Sequence, residues 1–95
     1  MGVSALGRGC PLLVEINLSG SCNITDMGIS ALAQGCPLLS DVDLSHCRNV
    51  TEMGIIALIE GCPLLKNIYL LGCPNISNDR LTALRRDYPH ISIRQ

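Results

Sequence analysis

The chain is 95 residues long and 47% hydrophobic, with a formal net charge of −1 and neither Trp nor Phe. That length accommodates one small domain with an aliphatic core, and a charge near zero gives no general pull toward nucleic acid or an anionic membrane. No run of about 18 apolar residues is present to span a bilayer, and the opening MGVSALGRGC lacks the apolar stretch of a secretion signal.

The chain opens inside a repeat. Residues 2–6, GVSAL, return as GISAL at 28–32, so residues 1–8 read as half a unit that begins within a helix. This is expected of a piece from a longer array. Three full units follow at 9–34, 35–60 and 61–87, the first two reading GCPLLVEINLSGSCNITDMGISALAQ and GCPLLSDVDLSHCRNVTEMGIIALIE. The offset is 26 throughout, for Cys10, Cys36 and Cys62 as for Asn23, Asn49 and Asn75. A period in the range of roughly 20–29 with L-x-x-L-x-L followed by Cys marks a leucine-rich repeat. One such unit cannot bury its apolar side alone, so its neighbours must complete the core.

Within each unit the hydrophobic period changes. Leu13, Ile16 and Leu18 should face inward from a short strand, as should Leu39, Val42, Leu44 and Leu65, Ile68, Leu70. Strand alternation then sends Glu15 and Asn17 outward, with Asp41, Asp43, Asn67 and Tyr69 in the same two columns. A turn carrying Asn follows. Thr25, Thr51 and Ser77 are placed as helix N-caps, their oxygens available to backbone N–H groups. Asp26 and Glu52 sit in the first helical turn, where the dipole favours negative charge. Ile29/Leu32, Ile55/Leu58 and Leu81/Leu84 supply the apolar face. Gly35 and Gly61 should end their helices, with Pro37 and Pro63 preventing continuation.

The third unit departs from the others. Arg80 stands in the column of Gly28 and Gly54, and Arg85 in that of Ala33 and Ile59. These columns are expected on the outer helix surface, making the last helix a polar cap. Residues 88–95 then alternate as a terminal strand. At the other end, the strand over residues 12–18 has no preceding strand in the chain. A free parallel-sheet edge predicts self-association through the N-terminal side.

Five of the six cysteines fall into two columns, Cys10/Cys36/Cys62 and Cys47/Cys73, with Cys22 one residue out of register. Stacked about 4.8 Å apart on neighbouring units, they should be buried reduced thiols, with Cys22 the most reactive. That implies a reducing, intracellular compartment, cytoplasmic or nuclear. No C-x-x-C is present and the His residues are unpaired, so zinc has no support. Asn23, Asn49 and Asn75 match the glycosylation sequon, but each recurs because the turn needs an Asn and the helix a cap. His46 and His90 are isolated from any Ser or Cys at triad spacing. Asp41 and Asp43 share a strand face with no glycine loop or further ligands, which reads as a solvated face rather than an acid–base pair or cation site. The arginines near the C-terminus are few and lack interleaved aromatics, so no nucleic acid is expected. No enzyme activity and no cofactor is expected.

The recurring text GCPLL…L…C.N.T…G…AL resembles the cysteine-containing leucine-rich repeats, and the chain looks like the repeat region of F-box leucine-rich-repeat substrate receptors and of the antagonist-of-mitotic-exit-network proteins. The resemblance spans essentially the whole chain. It implies an α/β solenoid, a right-handed β-α superhelix of about three 26-residue units plus the half-repeat and the terminal strand. It also implies substrate recognition within an SCF-type ubiquitin ligase, although these 95 residues hold no F-box to dock the adaptor.

The exposed strand face remains as the binding candidate. Its columns are Val14/Ser40/Lys66, Glu15/Asp41/Asn67, Asn17/Asp43/Tyr69 and Ser19/Ser45/Leu71, with His46 at the rim. Such positions are released from core duty, so differences between units there can encode specificity. Glu15, Asn17, Asp41, Asp43, His46, Lys66, Asn67, Tyr69 and Leu71 are the candidate residues for holding a protein or peptide, including a ubiquitin-ligase substrate, on a concave face. Tyr69 and Leu71 offer an apolar anchor beside the acids. The alternative is a structural or self-assembling segment without a dedicated ligand.

Overall fold

The computed structural model describes residues 12–21 and 23–95. The half-repeat at 1–8, Cys10, Cys22 and the capping of the N-terminal edge lie outside the described residues. Four strands alternate with three helices: β1 (Glu15–Asn17), α1 (Asp26–Gly35), β2 (Asp41–Asp43), α2 (Glu52–Gly61), β3 (Asn67–Tyr69), α3 (Asn78–Asp87) and β4 (Ser92–Arg94). The strands form one parallel sheet in the order β1-β2-β3-β4. Ile16 pairs with Val42 and Val42 with Ile68, which is the sequence period expressed as strand register. The last step is one residue shorter, with Ile68 against Ile93.

Each strand is three residues long, too short to hold itself. The sheet ladder continues beyond the strand ends instead. Leu18 N–H donates to the Asp43 carbonyl at 2.8 Å, Leu44 N–H to Tyr69 at 2.8 Å, and Leu70 N–H to Arg94 at 2.7 Å. The turns join in: His46 N–H reaches the Leu71 carbonyl at 2.8 Å, and the Asn75 amide donates to the Arg48 carbonyl of the preceding unit. That second bond gives the turn asparagine a structural duty.

The helices, ten residues each, are too short to persist alone in water. They are capped as expected: Gly28 N–H donates to Thr25 Oγ1, Met53 N–H to Thr51 Oγ1, and Arg80 N–H to Ser77 Oγ. Their inner faces bury Ile29, Leu32, Ile55, Leu58, Leu81 and Leu84 against the sheet residues Val42, Leu44, Ile68 and Leu70.

One expectation gains a physical reason and another needs correction. Gly35 and Gly61 end their helices as expected, without the positive φ that among the glycines of the described residues occurs only at Gly20 and Gly72, so a glycine there has another reason. At Gly61 the reason is proximity, since a Cβ there would lie 2.7 Å from the Ala33 Cβ. The expectation that fails is the outer helix surface for the columns occupied by Arg80 and Arg85. Gly54, Ala33 and Ile59 are buried, and a Cβ on Gly54 would meet Asp26 Oδ1 at 2.5 Å. Gly54, Gly61 and Ala33 let α1 and α2 lie close together. In α3 the columns of Gly54 and Gly61 carry Arg80 and Asp87, and α2 and α3 approach less closely. Arg80 spans the gap with an ion pair to Glu52 at 3.7 Å, and Arg85 Nε donates to the Ile93 carbonyl of β4 at 3.0 Å.

Asp26 ties α1 to α2. Its carboxylate accepts Thr51 N–H at 2.8 Å and Thr51 Oγ1 at 2.5 Å, while Thr51 Oγ1 itself caps α2. The buried cysteines also bridge units. Cys36, Cys47, Cys62 and Cys73 are thiols, not disulfides. Cys47 Sγ donates to the Leu18 carbonyl at 3.1 Å, Cys73 Sγ to Leu44 at 3.0 Å, and Cys62 Sγ to Cys36 at 3.4 Å. Burial pushes the Cys62 thiol up to about 11, with the nearby Cys36 adding to the effect. Burial likewise raises Cys47. Among the described residues no helix is long and apolar enough to cross a membrane.

Candidate protein-binding face

Strand pairing lays out the outward columns directly. Glu15 lies beside Asp41, Asp41 beside Asn67, and Asn67 beside Ser92. The second column runs Asn17, Asp43, Tyr69, Arg94. Tyr69, Asp41 and Asp43 are half-buried, whereas Glu15, Lys66 and Arg94 are exposed. Over β1 to β3 the face forms an open groove of about 560 Å³ lined by Glu15, Asn17, Asp41, Asp43 and Tyr69.

Several of these side chains are also structural. Asn17 Oδ1 accepts Ser19 N–H at 2.9 Å, and Asp43 Oδ1 accepts Ser45 N–H at 2.9 Å. Each closes the turn leaving its strand. Tyr69 has no such acceptor, so the equivalent donor, Leu71 N–H, turns to Ser45 Oγ of the preceding unit at 3.2 Å. Ser45 is consequently 7% exposed, which removes it from the exposed column in which the alternation had placed it. Leu71 remains 57% exposed at the rim.

Asp41 is held in place from both sides. Asn67 Nδ2 donates to its Oδ1 at 2.6 Å and Ser40 Oγ to its Oδ2 at 3.1 Å. Asp43 Oδ2 and both Glu15 carboxylate oxygens have no hydrogen-bond partner among the described residues, and none of the three acids is in an ion pair there. His46 has φ of 63° in the column of Gly20 and Gly72, at 77° and 69°. A side chain in this left-handed region is costly, and the ring lies where a Cβ on Gly72 would collide with it.

Arg94 was not legible as part of this face. Alternation over residues 90–94 sends it outward, but the final step of the sheet is 25 residues instead of 26, which hides its column. Its guanidinium lies 5.8 Å from the centre of the Tyr69 ring, a cation–π distance. The face therefore runs from acids on β1 and β2, through Tyr69, to Arg94 on β4, with Lys66 nearby just before β3.

No family model matches the chain, and no curated protein matches it. Among solved structures it is similar to a chain in the crystal structure of the Rad7 and Elc1 complex in yeast, with a TM-score of 0.70 and 27% identity. The match covers 85% of this chain and 18% of the other, so the chain spans less than a fifth of that protein's length.

Proposed function

We propose that the chain is a protein-interaction module, a single leucine-rich-repeat solenoid built of the units 9–34, 35–60 and 61–87, whose concave strand face holds a protein or peptide. In the finer reading it is substrate-recognition sequence of an SCF-type ubiquitin-ligase receptor. It is a binding module and not an enzyme, works without a cofactor, and belongs in a reducing intracellular compartment. The observation that carries the binding role is the open groove over the strands. Its charged residues differ from unit to unit while the residues behind them repeat. Likeness to a protein solved as a complex with another protein supports a partner of the same kind, and the cysteine-bearing repeat text supports the ubiquitin-ligase setting.

The test is affinity capture from cell extract, with variants that leave the fold alone. Asp43→Asn keeps the turn acceptor, because Asn17 already performs that task in the first unit. Asp43→Asn combined with Tyr69→Ala should abolish capture of whatever the wild-type chain retains, while Arg86→Ala on α3 should not. Equal capture by all three would remove the strand face from the function. Cullin and adaptor subunits recovered with the native protein that carries this sequence, isolated from cells, would support the ligase reading, and their absence from such a preparation would count against it.

A further inference from the structure

Given that the strand face is the binding surface, we infer that its ligand is an extended peptide segment of dipolar order, with a cationic side chain at one end, an apolar one in the middle and an acidic one at the other. Charge on the face is separated and uncompensated. Glu15, Asp41 and Asp43 occupy β1 and β2, and Arg94 occupies β4. Among the described residues, no ion pair links any of them to each other or to anything else. Tyr69 stands between Asp43 and Arg94 in one column and keeps them apart. Its ring already meets the Arg94 guanidinium, which holds that cation over the strands. Opposite charges arranged in this way are complementary to a partner of the reverse order and penalise like-charged partners.

The dimensions fix the ligand's register. Strands stand about 4.8 Å apart, so β1 to β4 spans about 14 Å. An extended peptide rises about 3.3 Å per residue, with alternate side chains on one face, so its positions 1, 3 and 5 reach about 13 Å on one side. A Lys or Arg at position 1 then lies over Glu15, Asp41 and Asp43. Position 3 meets Tyr69, and an Asp or Glu at position 5 meets Arg94. The free Asp43 Oδ2 and Glu15 carboxylate accept from the cation, since Asp41 is already occupied by Asn67 and Ser40. A segment that crosses in either chain direction satisfies the pattern, so what matters is opposite charge at the two ends.

The experiment is an NMR titration of the isotopically labelled chain with blocked five-residue peptides, Val at position 3, Ser at 2 and 4, and the ends Arg/Glu, Arg/Arg, Glu/Glu or Gln/Gln. The Arg/Glu peptide should bind about tenfold more tightly than the others, shift the amides of Asp43, Tyr69 and Arg94, and weaken as salt is raised. Arg94→Glu, an exposed change on the edge strand, should move the preference to the Arg/Arg peptide. If all four peptides shift the strand amides equally, the dipolar order falls and the binding face stands. If none shifts them at millimolar concentration, the peptide inference falls, while the binding face itself stands or falls on the capture experiment.

Discussion

At the scale of single residues, Cys36, Cys47, Cys62 and Cys73 were legible as buried thiols, because a cysteine recurring at fixed offset inside an apolar repeat has no exposed task. What the thiols do was not legible. Each of Cys47, Cys62 and Cys73 donates to a carbonyl one unit back, a contact that depends on the stacking distance and not on any local pattern. The raised pKa of Cys62 has a definite consequence for stability. The native state retains the proton up to about 11, whereas the unfolded chain releases it near 9.0. The native state thus binds more protons in that window, and the stability contributed by the protonated thiol is complete below pH 9 and lost as pH rises toward 11. Urea unfolding of the wild type and of Cys62→Ala should show a stability gap that narrows between pH 9 and 11. A gap that stays constant over that range would show that the thiol does not titrate differently in the two states. Ser45 teaches the complementary lesson. Its burial follows from Tyr69 lacking a turn acceptor, so the role of one residue is set by a substitution 24 positions away.

At the scale of elements, strands and helices were legible where period and caps agreed. Thr25, Thr51 and Ser77 cap their helices because a hydroxyl at the helix entry can accept backbone N–H groups that otherwise lack a partner. Helix–helix distance was the part that escaped. Nothing local shows that a glycine at a helix end also lets another helix approach, and Gly61 does both. Adding a Cβ 2.7 Å from the Ala33 Cβ forces α1 and α2 apart. Intrinsic helix propensity alone would reward Gly→Ala by about 1 kcal/mol, and overpacking costs about 1–3 kcal/mol. Gly61→Ala should therefore be destabilising on balance, whereas Glu60→Ala next to it on the exposed side should stay within about 0.5 kcal/mol. Adding Ala33→Gly to Gly61→Ala should restore part of the loss, because the two side chains compete for one space. Thermal unfolding of the three variants settles it, and a Gly61→Ala chain as stable as wild type would mean the helices are free to part.

At the scale of the whole molecule, close packing runs between neighbouring units: β1 on β2, β2 on β3, β3 on β4, and α1 on α2. In such an arrangement stability is close to a sum of unit and neighbour terms, and position along the stack should decide how much one leucine is worth. Leu18, Leu44 and Leu70 occupy the same column. Leu44 has 0% exposure and lies between two flanking units, whereas Leu18, beside the edge strand β1, is only partly buried. Leu44→Ala removes the same atoms as Leu18→Ala but leaves a cavity that neither neighbour can collapse to fill. Its expected cost is about 2–5 kcal/mol, and Leu18→Ala should fall clearly below it. A chain of this size has roughly 5–15 kcal/mol in all, so Leu44→Ala should shift the urea midpoint far and could leave a partly unfolded population at 37 °C. Circular dichroism across a urea series on both variants provides the comparison. If Leu18→Ala costs as much as Leu44→Ala, the edge of the sheet is as well covered as its middle. If Leu44→Ala costs well under about 1 kcal/mol, as a surface change would, the stack does not derive its stability from the packing of neighbouring units.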